Sequence, residues 1–166
     1  MVHFVGAGPG AVDLITVRGL KFLKEADVLI YAGSLVSAEF SRYLKEGAAV
    51  YNSAEMTLEE VEAVILEAEK NNRTTVRLHT GDPSLYGAIA EQILFLKEKG
   101  IEYDVTPGVT AAFAAAAEMG MEYTLPGVSQ TLILTRTAGR TPMPSEESIE
   151  ALSRTHSSMA IYLSVN

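Results

Sequence analysis

Apolar and polar positions along this chain alternate between two periods. Val2 to Val5, Asp27 to Tyr31, Ala48 to Tyr51, Arg73 to Leu78 and Ile101 to Val105 are short runs of strand length. Between them Val17 to Glu25, Ser37 to Lys45 and Ala88 to Lys99 repeat at helical spacing. A capping box, Thr57-Leu58-Glu59-Glu60, opens a further long helix whose Leu58, Val61, Ile65 and Ala68 share one face and are expected to pack in the core. This alternation predicts an α/β fold, with a five-stranded, mostly parallel sheet covered by helices on both faces.

The rhythm changes at Glu122-Tyr123-Thr124-Leu125-Pro126-Gly127. An alanine-rich helix, Ala111 to Met119, precedes that stretch. After it come a strand at Thr131 to Thr135, a proline-bearing loop at Ala138 to Pro144, a short helix capped by Ser145 and a strand at Met159 to Leu163. The expected division is therefore an N-terminal α/β domain over residues 1–122 and the start of a second, truncated α/β domain over 123–166.

Three glycine turns follow predicted strands: Gly6-Ala7-Gly8-Pro9-Gly10, Thr80-Gly81-Asp82-Pro83 with Tyr86-Gly87, and Pro107-Gly108-Val109-Thr110-Ala111. In a parallel α/β sheet such turns lie at the carboxyl ends of strands, where these folds place their crevices, so one shared ligand pocket is expected. The first turn departs from the dinucleotide fingerprint G-x-G-x-x-G, because its third glycine comes one residue early and Pro9 removes a donor. That weighs against nicotinamide or flavin. Asp82 before Pro83 suits either an Asx turn or a ligand hydroxyl or amino group.

Composition narrows the chemistry. With 166 residues and 48% hydrophobic content the chain can bury a sizeable core. Cysteine is absent, and His3, His79 and His156 are scattered, so no metal site is expected. No run reaches the roughly 20 apolar residues of a membrane span, and the start of the chain lacks a signal-type pattern; a cytoplasmic protein without a membrane partner is expected. A net charge of −8 disfavours nucleic acid. Between Tyr123 and Ser145 the only charged residues are Arg136 and Arg140, a local cationic patch that suits an acidic substrate as well as it suits two solvated loop charges.

Taken together, these motifs resemble the tetrapyrrole (corrin/porphyrin) methylases. The family-wide part is GAGPG followed by Asp13-Leu14-Ile15-Thr16, then Thr80-Gly81-Asp82-Pro83 with Tyr86-Gly87, then Pro107 to Ala111. Tyr31-Ala32-Gly33-Ser34-Leu35-Val36, Leu125-Pro126 with Val128-Ser129-Gln130-Thr131, and Gly139-Arg140-Thr141-Pro142-Met143-Pro144 resemble the branch that methylates precorrin-4 or cobalt-precorrin-4 at C-11 in cobalamin biosynthesis. Ala32 stands where related uroporphyrinogen methylases carry an aspartate proposed as a proton acceptor, so no catalytic base is assigned.

The resemblance implies the tetrapyrrole methylase fold, two α/β domains with S-adenosyl-L-methionine in the cleft between them, usually in a homodimer, and S-adenosyl-L-homocysteine as product. It implies cofactor contacts at Pro9, Thr80, Gly81, Asp82, Leu85, Thr110 and Ala111, with Tyr86 either a further contact or a packing aromatic. Tyr31, Ser34, Arg136 and Arg140 are the implied partners of a polycarboxylated small-molecule tetrapyrrole. Other readings are another member of the same fold, such as a uroporphyrinogen or other precorrin methylase, diphthine synthase or an RNA 2′-O-methyltransferase. Family members usually continue well past residue 166, so a catalytically incomplete fragment is also weighed, folded but expected to bind cofactor weakly.

Overall fold

A computed structural model describes residues 1–33, 36–139 and 142–164. The chain forms two compact units, Met1–Ala114 and Ala115–Asn166. In the first, β1 (Val2–Gly6), β2 (Val28–Tyr31), β3 (Ala49–Asn52), β4 (Thr75–His79) and β5 (Tyr103–Thr106) form one sheet in the order β3-β2-β4-β1-β5. Every ladder in it is parallel.

Helices cover both faces, as the strand sequences require. α1 (Val17–Glu25), α2 (Leu58–Lys70) and α3 (Ile89–Lys99) connect the strands, and α4 (Ala111–Glu118) follows β5. One face buries Val2, Phe4, Val28 and Ile30 against Val61, Ile65 and Ala68 of α2 and Leu96 of α3. The other buries Val5, Leu29, Val76 and Leu78 with Leu23 of α1, Val36 and Phe40. Local signals fix the helix ends. Thr16 Oγ accepts the Gly19 N–H at 3.1 Å, and the box at α2 closes with the Thr57 N–H donating to Glu60 Oε2 at 2.7 Å.

Four expectations shift. Ser37 to Lys45 is not an α-helix but a 3₁₀ segment, Ala38–Tyr43. Ser37 Oγ accepts the N–H of Glu39, two residues on, which starts the tighter winding. Leu58 is exposed, because the first turn of α2 projects beyond the core cluster that begins at Val61. The fifth strand begins at Tyr103, since the Ile101 N–H is taken by the Leu96 carbonyl at 2.9 Å in closing α3. Ser145 starts only a 3₁₀ turn, Ser145–Glu147; Ser148 caps α5 (Ile149–Ser153), its Oγ accepting the Ala151 N–H at 3.2 Å.

The second unit holds β6 (Leu132–Arg136) and β7 (Ser158–Tyr162), paired in parallel with Leu132 opposite Ser158 and Arg136 opposite Tyr162. Ser158 Oγ donates to the Tyr123 carbonyl at 2.8 Å, anchoring the start of β7. Among the described residues no helix is long and apolar enough to cross a membrane.

Candidate functional site

β1 and β4 are neighbours, yet the chain leaves them toward opposite faces. After β1 it runs to α1, whose Leu23 packs beside Val5 and Leu78; after β4 it runs to α3, whose Leu96 packs beside Phe4. Adjacent parallel strands whose connections diverge in this way leave a crevice at their carboxyl ends, the usual ligand position in open α/β sheets.

All three glycine turns meet there, backbone on backbone. The Gly81 N–H donates to the Gly8 carbonyl at 2.8 Å, the Gly8 N–H returns to the Gly81 carbonyl at 3.3 Å, and the Ala7 N–H donates to the His79 carbonyl at 2.7 Å. A Cβ on Gly6 would sit 2.6 Å from the Gly108 Cα and 2.6 Å from the Gly81 carbonyl oxygen, and one on Gly108 would run into that same oxygen. Glycine at 6 and 108 is thus required by close approach. At 81 it is required by a φ of +59°.

Asp82 ties the second turn to the third. Its Oδ1 accepts the Ser84 N–H at 2.8 Å, an Asx turn, and its Oδ2 accepts the Gly108 N–H at 2.9 Å. A carboxylate offers about four lone-pair positions, so acceptor capacity remains after these two bonds. Beyond Pro83 the backbone is strained: Tyr86 has φ +58° and Ala88 +50°. Each such non-glycine residue costs about 1–2 kcal/mol and persists only where its surroundings over-determine it.

Under this turn β4 carries two titratable side chains in the core. Arg77 is 8% exposed and His79 6%. Burial pushes the guanidinium down to about 10, so it stays charged at neutral pH. Burial, and then the charge of Arg77, push His79 down to about 3, so its imidazole is neutral. Among the described residues the buried Nε2 of His79 and Oγ1 of Thr106 have no hydrogen-bond partner. Sequence reading passed over Arg77 because a polar residue alternating with Val76 and Leu78 reads as outward-facing. The prediction that both faces of the sheet are covered was the signal that it must be inward.

The structure gathers the cofactor candidates on one edge of the first unit. Pro9, Gly81, Asp82, Leu85 and Thr110 are buried or half-buried there, while Thr80, Tyr86 and Ala111 are exposed. Tyr31 lies at the carboxyl end of β2, half-buried and opposite Leu78 and Asn52. Arg136 ends β6 in the second unit, its Nη1–H donating to the Thr137 carbonyl at 3.1 Å. Ser34 and Arg140 lie outside the described residues. Among the described residues no group of three His, Cys, Asp or Glu side chains could hold a metal ion.

A cobalt-precorrin-4 C(11)-methyltransferase of Methanocaldococcus jannaschii is 53% identical over 165 residues, covering 99% of this chain and 64% of that protein. The X-ray structure of a cobalt precorrin-4 methyltransferase, a cobalamin biosynthetic enzyme, superposes with a TM-score of 0.94 at 47% identity, covering 98% of this chain and 68% of that one. A uroporphyrin-III C-methyltransferase from Thermus thermophilus, complexed with S-adenosylhomocysteine, gives 0.70 at 28% identity, covering 87% and 59%. The chain thus spans less than two thirds of the length of the curated relative that it matches. The model of the tetrapyrrole (corrin/porphyrin) methylases matches residues 1–166, and with these three glycine turns joined at the carboxyl edge of its sheet the chain belongs to that family.

Proposed function

We propose that the chain acts as an S-adenosyl-L-methionine-dependent C-methyltransferase on a corrin-pathway tetrapyrrole, methylating precorrin-4 or cobalt-precorrin-4 at C-11 in cobalamin biosynthesis. The observation that carries this reading is the junction of Gly6, Gly81 and Gly108. It leaves a surface without side chains at the crevice of the sheet, bordered by a carboxylate with spare acceptor capacity. That chemistry fits a ligand bearing hydroxyl and amino groups. Support comes also from the relative at 53% identity, named for this substrate, and from the family member complexed with S-adenosylhomocysteine.

In this reading Pro9, Gly81, Leu85, Tyr86 and Ala111 form the walls against the cofactor, and Thr80, Asp82 and Thr110 make its polar contacts. The bound cofactor supplies a methyl group on a sulfonium, ready for direct displacement. A carbon acceptor that is already nucleophilic needs little acid or base help, so the demands on the protein are alignment of the reacting atoms and exclusion of water. Ala32 in place of an aspartate is compatible with that economy. Arg136 and Arg140 hold substrate carboxylates, with Tyr31 and Ser34 as further contacts, since a guanidinium pairs with a carboxylate through two parallel bonds. A homodimer in the cytoplasm completes the proposal.

Calorimetric titration of the chain with S-adenosylhomocysteine and, separately, with NAD tests the cofactor assignment. Saturable binding of the first and none of the second is the expected result. Equal or tighter binding of NAD overturns it.

A further inference from the structure

Arg77 places a guanidinium in the core. The side chain lies on the sheet face that carries Phe4 and Ile30, its partners in register on β1 and β2. Among the described residues no ion pair includes it. Taking a guanidinium out of water costs several kcal/mol that an apolar side chain of similar volume does not incur. Packing alone gives no reason to keep an arginine here.

What the guanidinium does hold is a short relay toward the second glycine turn. Its Nη1–H donates to the Ile30 carbonyl at 3.3 Å and its Nε–H to Gln92 Oε1 at 3.1 Å. Gln92 Nε2–H donates in turn to the Ala88 carbonyl at 3.4 Å. Because arginine carries donors only, it fixes which way the Gln92 amide faces, with oxygen toward Arg77 and nitrogen toward Ala88. Ala88 is one of the two left-handed non-glycine residues of the turn, and nothing in its own side chain favours that conformation. A strained backbone of this kind needs support from outside the turn.

We infer that Arg77 and Gln92 are positioning residues, which hold the Leu85–Ala88 stretch, with its left-handed Tyr86 and Ala88, from within the core so that Leu85 and Tyr86 are presented to the cofactor. The inference rests on the cofactor reading of this turn. Arg77 touches no ligand in this account and acts only through Gln92 and Ala88. The arrangement also explains why the cation is unpaired: a carboxylate at 92 would accept from Arg77 but would have no donor left for the Ala88 carbonyl.

Three variants separate the roles. Arg77→Met removes the donors while filling the core, Arg77→Lys keeps the charge without the fork, and Gln92→Glu keeps the acceptor while removing the donor to Ala88. Each is measured by thermal melting, by hydrogen exchange over residues 85–92 with β5 as internal reference, and by S-adenosylhomocysteine titration. A melting temperature at or above wild type is expected for Gln92→Glu and a lower one for Arg77→Met, which leaves Gln92 Oε1 and the Ile30 carbonyl without a donor, while about tenfold faster exchange confined to the turn and about tenfold weaker binding are expected for both, with no rescue by lysine. Should Arg77→Met fail to fold, Gln92→Glu decides. If wild type itself does not bind S-adenosylhomocysteine, the cofactor reading fails, while the exchange comparison still decides whether the pair holds the turn. Unchanged exchange in both variants overturns the inference, and so does faster exchange at wild-type affinity.

Discussion

The two ends of the five-stranded sheet are built from different materials. At the amino end, polar side chains do the fastening. His3 Nδ1 lies 2.9 Å from Asp104 Oδ2 with its ring stacked 3.8 Å from that of Phe22, and Lys45 Nζ lies 2.7 Å from Asp27 Oδ1. At the carboxyl end the strands are joined by main chain against main chain through Gly8 and Gly81, with Asp82 as the one carboxylate between two turns. Charged pairs at a surface can be exchanged for others at small cost. Contacts between two backbones leave no side chain to give way, and that is the end where a ligand can approach closely.

The largest effect should come from the backbone end. Gly108→Ala drives a Cβ into the Gly81 carbonyl oxygen and toward the Gly6 Cα, so backbone has to move. A loss of about 3 kcal/mol or more in urea denaturation, together with loss of S-adenosylhomocysteine binding, is expected. If Gly108→Ala melts and binds as wild type does, the contrast between the two ends collapses.

A middle-sized effect separates the ends by pH. The folded value of His79 lies far below its unfolded one, so the native state is favoured with the ring neutral. That stability is fully present above the unfolded value of about 6.5 and is lost as pH falls below it. Between about pH 7.5 and pH 5 the loss amounts to about 2 kcal/mol, read as the difference in denaturant stability between wild type and His79→Leu at the two pH values. An equal pH dependence in both proteins would mean that the imidazole is already paired or solvated.

The smallest effect belongs to the amino end. The hydrogen bond from Lys45, and then the Thr74 N–H, hold the Asp27 carboxyl below its ordinary value. Its contribution is therefore present above the unfolded value of about 3.9 and fades as pH falls through the folded one. Lys45→Met should cost at most about 1 kcal/mol at neutral pH, since both side chains are partly exposed, and should leave ligand affinity unchanged. A change in affinity would show that the two ends are coupled through the sheet.

The elements of the first unit were legible because both periodicities are clean outside the Ala38–Tyr43 segment and because the Thr57 capping box marks the start of α2. The site was legible as three turns, since glycine and proline after a strand have few other uses. What the sequence hid are relations across the sheet. That Gly6 and Gly108 touch depends on β1 lying between β4 and β5, a strand order that no local pattern encodes. The inward side chain of Arg77 was passed over for a different reason: alternation with Val76 and Leu78 reads as an exposed face, although the expected cover on both faces of the sheet requires it to be inward. The serine that caps α5 was misread because Ser145 and Ser148 are both followed by acidic residues within two positions. Only the backbone shows which oxygen meets a free N–H.

The junction of the three turns would also tie capture of the proposed ligand to the cooperativity of folding. Residues 6, 81 and 108 are remote along the chain and meet only when β1, β4 and β5 are already paired, so no sheet lacking one of these three strands can offer the same surface. A ligand held there recognises the three paired strands and nothing earlier. By mass action each tenfold excess of ligand over its dissociation constant then adds about 1.4 kcal/mol to unfolding of the whole first unit rather than to one loop, which makes a shift in the global melting transition a direct gauge of occupancy.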